Sequence, residues 1–171
     1  MTTTAVQSVP AQLLHDAVAG LGITHMLTVP DTHQKTLLSA LMTDPRWRSL
    51  TLSTEDEAVC VAAGMWIGGA ACVLMIQHAG LYACVNHLRG VGLDMKMPLF
   101  LMIGLLGREL DKTPGDNRGS MVRLAEPLLD VLGIPHYLVD GADDVHFIHE
   151  AYEESRTREM PVAALIGAPT A

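Results

Sequence analysis

Apolar residues recur along the chain in two alternating periods, and that alternation predicts the architecture. Leu13, Leu14, Ala17, Val18 and Leu21 share one face between Pro10 and Gly22, which predicts a helix over 11–21. The short run from His25 to Val29, cut off by Pro30, reads as a strand. A helix is predicted over 32–42, closed by Asp44 and Pro45. A strand near 50–53 leads into Thr54-Glu55-Asp56-Glu57. Threonine followed three residues later by glutamate is a capping box, so a helix starts there and runs toward Gly68.

The unit then repeats. Residues 72–76 predict a strand and 81–91 a helix. Pro98 to Leu106, nine residues between turn signals, suits a fully buried central strand. A polar loop over 111–119 precedes a helix over 120–132, a strand over 136–139, a helix over 143–158 and a last strand over 161–166. Six strands alternating with six helices predict an α/β fold, a three-layer α/β/α sandwich around a six-stranded parallel sheet. No linker, repeat or low-complexity segment interrupts residues 1–171, so one domain is expected. Ligands of such sheets bind where strands end and helices begin. Four junctions qualify: Pro30-Asp31-Thr32-His33, Thr54-Glu55-Asp56-Glu57, Gln77-His78-Ala79-Gly80, and the loop from Gly107 to Gly119.

Composition narrows the function classes. Hydrophobic residues make up 49% of the chain and aromatic ones 4%, so the core is built from aliphatic residues and Met. No apolar stretch reaches the ~18 to 20 residues of a membrane span, and no positive n-region precedes an apolar core at the N-terminus. A cytoplasmic protein without a membrane partner is expected. A formal charge of −8 and no basic stripe argue against a nucleic-acid partner. Cys60, Cys72 and Cys84 form no C-x-x-C pair and lie in apolar segments, which predicts buried, reduced thiols and no metal site.

The stretch from Ser53 to Gly69 carries the most chemistry. Three acids opening a helix complement its dipole and need no other role. The spacing adds more: Glu55 precedes Ala62-Ala63-Gly64 by seven to nine residues, and Gly68-Gly69 closes the helix. This pattern resembles the pyrimidine-binding domain of thiamine diphosphate enzymes. Nearly the whole chain resembles the alpha subunits of sulfopyruvate decarboxylases and the matching half of phosphonopyruvate decarboxylases. Val29-Pro30-Asp31 with Lys35, the set Gln77, Gly80, Leu81 and Asn86, the run Gly133-Ile134-Pro135-His136-Tyr137, and Pro161-Val162 carry that resemblance.

The resemblance implies several roles. Counting back from Gly64 makes Glu55 the residue that hydrogen-bonds N1′ of the aminopyrimidine, favouring the tautomer that takes the C2 proton of the thiazolium ring. Pro30, Gln77 and Gly80 would border the cofactor; Asp31, Thr32, His33 and Tyr82 would face the substrate. His78 would either donate a proton after CO₂ leaves or satisfy backbone groups at a strand end. The Gly-Asp-Gly and downstream asparagine that hold the diphosphate and Mg²⁺ in these enzymes have no counterpart; the nearest string is Gly115-Asp116-Asn117. A beta subunit bearing that domain is therefore expected, in an α2β2 or larger oligomer, with Mg²⁺ held mainly by the partner.

The pattern also departs from the family. Related alpha subunits read approximately Gln-Asn-Ser-Gly-Leu-Gly-Asn where this chain reads Gln77-His78-Ala79-Gly80-Leu81-Tyr82-Ala83. Tyr82 is expected to fill space near the substrate or a subunit contact. Arg108, Lys112, Arg118 and Arg123 surround the polar loop, either as anion-binding groups or as ordinary loop charges. His146 and His149 are three residues apart on an acidic helix, a spacing that suits a solvated face better than a metal. The expected activity is decarboxylation of an anionic 2-oxoacid, with sulfopyruvate to sulfoacetaldehyde first in line. A carboligase subunit and a non-catalytic assembly domain are the alternatives.

Overall fold

Six parallel strands and their flanking helices organise the chain, and the computed structural model describes residues 8–171. Residues 1–7, on which the expected lack of a leader partly rests, lie outside the described residues. The strands are β1 (His25–Thr28), β2 (Arg48–Thr51), β3 (Cys72–Gln77), β4 (Phe100–Gly104), β5 (His136–Val139) and β6 (Val162–Ile166). They lie in the order β2-β1-β3-β4-β6-β5, every pair parallel. The helices are α1 (Ala11–Gly20), α2 (Lys35–Thr43), α3 (Glu55–Ile67), α4 (His78–Ala83), α5 (Val85–His87), α6 (Ser120–Arg123), α7 (Ala125–Leu132) and α8 (Phe147–Arg158). The expected α/β/α sandwich is the observed one.

Strand alternation divides the core into two layers. Val73, Met75, Phe100, Met102, Val162 and Ala164 pack with Leu14, Leu37 and Ile148 from α1, α2 and α8. The intervening Leu74, Ile76, Leu101, Ile103, Ala163 and Leu165 pack with Ala58, Ala62, Leu81 and Leu129 from α3, α4 and α7. Central β4 and β6 are buried along their whole length, while the edge strand β2 is mostly exposed. Among the described residues no helix is long and apolar enough to cross a membrane.

Several boundaries differ from the sequence reading, each for a local reason. Helix α2 begins at Lys35 and not at 32, because the Asp31 carboxylate accepts the His33 N–H at 2.8 Å and holds the preceding residues in a turn. Helix α4 begins at His78, directly on the strand, with Gln77 extended as its N-cap; Gly80 sits inside its first turns and does not delay it. After α5 the chain widens into a π-helical turn, Leu88–Asp94, where Gly92 lies so close to Pro161 that a Cβ would overlap its ring. The helix expected over 120–132 breaks at Leu124 into α6 and α7. Pro127, third in α7, has no N–H for the previous turn and fits only within the first turn of a helix. Residues 142–144 form a 3₁₀ turn before α8 starts at Phe147. Cys60 is exposed on the outer face of α3, contrary to the expectation of burial; Cys72 is half-buried and Cys84 buried.

The two-layer core makes a direct stability prediction. Leu101, 1% exposed in the central strand, supports the α3–α4 layer. Truncation to Ala is expected to cost about 2–5 kcal/mol, read as a lower denaturation midpoint with an unchanged denaturant slope.

Candidate active site

Three of the four junctions converge at the carboxyl edge of β1, β3 and β4, and a buried carboxylate links two of them to the sheet. Asp31, 2% exposed, follows β1. Its Oδ1 accepts the His33 N–H at 2.8 Å and the Gln77 side-chain amide at 3.1 Å, and its Oδ2 accepts the Gln34 amide at 2.9 Å. A Cβ on Gly104 at the end of β4 would overlap that Oδ2, so only glycine lets the carboxylate settle over the strand end. Charge buried without a cation is tolerated when donors surround it, and here three do.

Gln34 is the residue that sequence reasoning missed. It is fully buried, and its Nε2 also reaches the carbonyls of Ile76 at 3.2 Å and Met102 at 3.3 Å. One amide thus ties α2 to β3 and β4. Three acceptors around Nε2 fix the amide's orientation, and Oε1 is left buried without a donor. The only sequence signal was a polar residue at a position where the α2 pattern asked for an apolar one.

His33 and His78 stand at the same edge. His33 Nε2 donates to the Gly167 carbonyl at 3.1 Å, and His78 Nε2 donates to the Leu106 carbonyl at 2.8 Å. Each bond places the proton of the neutral ring on Nε2. Nδ1 of His78, a residue 3% exposed, is then an unprotonated acceptor, and it is buried without a partner. Burial holds the His33 pKa below the ordinary value. The charge of Asp31 and the Gly167 and Ile166 carbonyls oppose that shift, and His78 adds to it.

Glu55 occupies a different niche. Thr54 caps α3 by accepting the Glu57 N–H, and Glu57 answers with a 2.9 Å bond from the Ser53 N–H, so the capping box uses Glu57. Asp56 is held below the ordinary carboxylate range, first by its hydrogen bond with Thr54. Glu55 alone of the three acids turns inward. Its side chain fills the space at Gly80 in α4, where a Cβ would come within 2.6 Å of Cδ and Oε1. Its carboxylate has no hydrogen-bond donor among the described residues. Buried Cys84 lies near enough to feel its charge, and burial first, then Glu55, pushes that thiol up to about 12.

The remaining predicted residues fall into place less closely. Pro30 and Thr32 are exposed and, with Asp31, border an open depression of about 410 Å³ beside α2. Tyr82 donates through its hydroxyl to the Met121 carbonyl at 2.6 Å and pins α4 to α6. The cations of the polar loop are engaged within the chain. Arg108, 3% exposed, pairs with Asp140 at 3.0 Å; Lys112 and Arg118 both pair with Glu109, at 2.9 and 2.7 Å; Arg123 donates to the carbonyls of Asn117 and Arg118. Of the two readings of this cluster, ordinary loop charges fit that pairing without further assumption. Asp116 and Asn117 serve the loop itself, accepting from the Thr113 hydroxyl and the Glu109 N–H. His146 is exposed and hydrogen-bonds the Asp143 carbonyl.

The depressed pKa of His33 has a testable sign. The unfolded chain takes up a proton near pH 6.5 and the folded chain only at lower pH, so this contribution is intact above about 6.5 and is lost as pH falls toward the folded pKa. The denaturation midpoint is expected to drop between pH 7 and 5, and His33→Gln, which keeps a donor without titrating, is expected to flatten that drop.

No protein-family model matches the chain. Phosphonopyruvate decarboxylase of Streptomyces viridochromogenes is 30% identical over 151 residues, which are 87% of this chain and 38% of the Streptomyces protein. The chain thus spans well under half the length of that relative. Sulfopyruvate decarboxylase subunit alpha of Methanococcus maripaludis is 26% identical over 159 residues, 92% of this chain and 94% of the relative. The subunit alpha of Methanocaldococcus jannaschii is 26% identical over 156 residues, 91% of each. Over nearly all of its length the chain is similar to the sulfopyruvate decarboxylase alpha subunits and to the matching part of phosphonopyruvate decarboxylase, and in that sense it is a sulfopyruvate/phosphonopyruvate decarboxylase-like alpha subunit.

Proposed function

We propose that the chain is the pyrimidine-binding subunit of a thiamine diphosphate-dependent decarboxylase acting on an anionic 2-oxoacid, with sulfopyruvate the preferred candidate. The observation that carries this reading is the Glu55 carboxylate. It is seated against Gly80, turned away from the capping box and without a donor of its own. A helix-capping acid needs no such seat, whereas a carboxylate that receives a hydrogen bond from a bound ring needs a vacant acceptor in a sheltered place.

The residues present fit the cofactor's pyrimidine half. Glu55 would hold N1′, with Pro30, Gln77 and Gly80 bordering the ring. Thiamine diphosphate supplies the electron sink that 2-oxoacid decarboxylation requires. Gln77 is itself held by Asp31, so its amide is oriented before any ligand arrives. His78 offers an unpartnered Nδ1 that can take up a proton and return it to the carbon from which CO₂ has departed. Its Nε2 bond to Leu106 keeps the ring in one orientation throughout. A beta subunit would bring the diphosphate and Mg²⁺ site, consistent with the subunit alpha designation of the methanogen relatives.

The test is purification of the tagged chain from its native cells under gentle conditions, followed by CO₂ release from sulfopyruvate with and without added thiamine diphosphate. Recovery with a second protein in near-equal amount and cofactor-dependent CO₂ release is the expected result; a clean homo-oligomer that neither binds thiamine diphosphate nor turns over a 2-oxoacid sinks the proposal. In the active assembly, Glu55→Gln is expected to lower turnover about 100-fold or more. Gly80→Ala, which pushes a methyl group into the Glu55 side chain, is expected to lose activity while the chain still assembles with its partner.

A further inference from the structure

Of the eleven Lys and Arg residues, eight have side-chain partners within the structure. Only Lys35, Arg48 and Lys96 lack a hydrogen-bond, ion-pair or ring partner among the described residues. Arg48 opens β2, and Lys96 precedes β4, so both belong to the amino edge of the parallel sheet. Lys35 opens α2 at the carboxyl edge, two residues after His33, whose N–H Asp31 accepts. It is the one uncommitted cation on the side where Glu55, Gln77 and His78 stand.

Lys35 lines the depression that Pro30, Asp31 and Thr32 border. Ser39, four residues on and therefore on the same face of α2, lines it as well. The hydroxyls of Thr32 and Ser39 have no partner among the described residues. Three unspent donors thus meet in one open cavity of about 410 Å³, and Leu38 and Met42 give it an apolar wall. A tetrahedral or carboxylate anion accepts several charge-assisted hydrogen bonds at once, and it gains most where the donors are not already satisfied.

Resting on the decarboxylase reading above, we propose that Lys35, with Thr32 and Ser39, reads the distal anion of the substrate and so determines specificity for 2-oxoacids that carry a second negative group on a short carbon chain. The loop cations do not share this task, because Glu109 and Asp140 engage Arg108, Lys112 and Arg118. Lys35 acts at the far end of the substrate from the scissile bond, and its loss acts on binding more than on the chemical step.

The experiment compares kcat/KM for sulfopyruvate and for pyruvate, which lacks the distal anion, in the assembly purified with its partner. Wild type, Lys35→Met and Lys35→Arg are measured side by side. The sulfopyruvate-to-pyruvate ratio is expected to fall at least about tenfold in Lys35→Met, through KM, and to be largely kept in Lys35→Arg. An unchanged ratio, or equal losses in kcat for both acids, overturns the assignment of Lys35 and leaves the decarboxylase reading standing. A wild-type assembly that prefers pyruvate overturns it too. A wild-type assembly that decarboxylates neither acid overturns the decarboxylase reading, and this proposal with it.

Discussion

The burial of the Asp31 carboxylate constrains the rest of the carboxyl edge. An acid 2% exposed with no cation against it demands donors, and they come from three separate places in the chain: the His33 backbone, the Gln34 amide and the Gln77 amide. Each hydrogen bond to a charged group contributes about 1.5–3 kcal/mol, so losing a donor strands a charge and costs more than the bond. The constraint spreads outward. It delays the start of α2, requires glycine at 104, and ties the ends of β1, β3 and β4 to one another through Gln34. The edge is rigid because one charge has to be satisfied there.

Two carboxylates of the carboxyl edge therefore do opposite things. Asp31 accepts three hydrogen bonds from the protein, on both of its oxygens, and acts as an anchor. Glu55 has none engaged and sits against the one backbone position, Gly80, that leaves it room. The flanking acids of α3 are spent as well, Glu57 on the capping box and Asp56 on Thr54. The proposed chemistry would use the vacant acceptor, and the anchored one gives its surroundings a fixed shape. Gln77 joins the two, since it leaves β3 bound to Asp31 and caps the helix that carries Gly80.

The fold was legible in the sequence because burial imposes period. Runs such as 72–76 and Phe100–Gly104, apolar at every position, require helices on both faces, and the alternation of runs then leaves little choice of topology. Glu55 was singled out through its spacing to Gly64 and the small residues before it; the structure seats its side chain against Gly80. What escaped was whatever depends on partners distant in sequence. Gln34 reads as one polar residue in a helix until Asp31, Ile76 and Met102 are brought around it. The loop cations look free until Glu109 folds back between Lys112 and Arg118. Tyr82 was expected beside the substrate or a subunit contact, yet its hydroxyl serves the α4–α6 contact within the chain. Gly80, expected only to border the cofactor, also keeps space for the side chain of another helix.

Charge accounting extends this logic to the assembly. The chain carries a formal charge of −8, and all but three of its Lys and Arg side chains are already committed inside it. Lys35 alone is uncommitted at the carboxyl edge, beside the cavity that Asp31 and Thr32 share. On the proposed reading, the site must accept a diphosphate as well as a dianionic acid, and one lysine and two hydroxyls cannot neutralise both. Asp116 and Asn117, the nearest residues to a metal-holding string, are bound into their own loop. On the proposed reading, Mg²⁺ and the phosphate donors would come from another chain, whose face toward this edge would be electropositive. On that reading the division follows from how the charges are spent: at this edge the described residues offer a vacant carboxylate, an oriented amide and one uncommitted lysine, and the remaining positive charge would arrive by association.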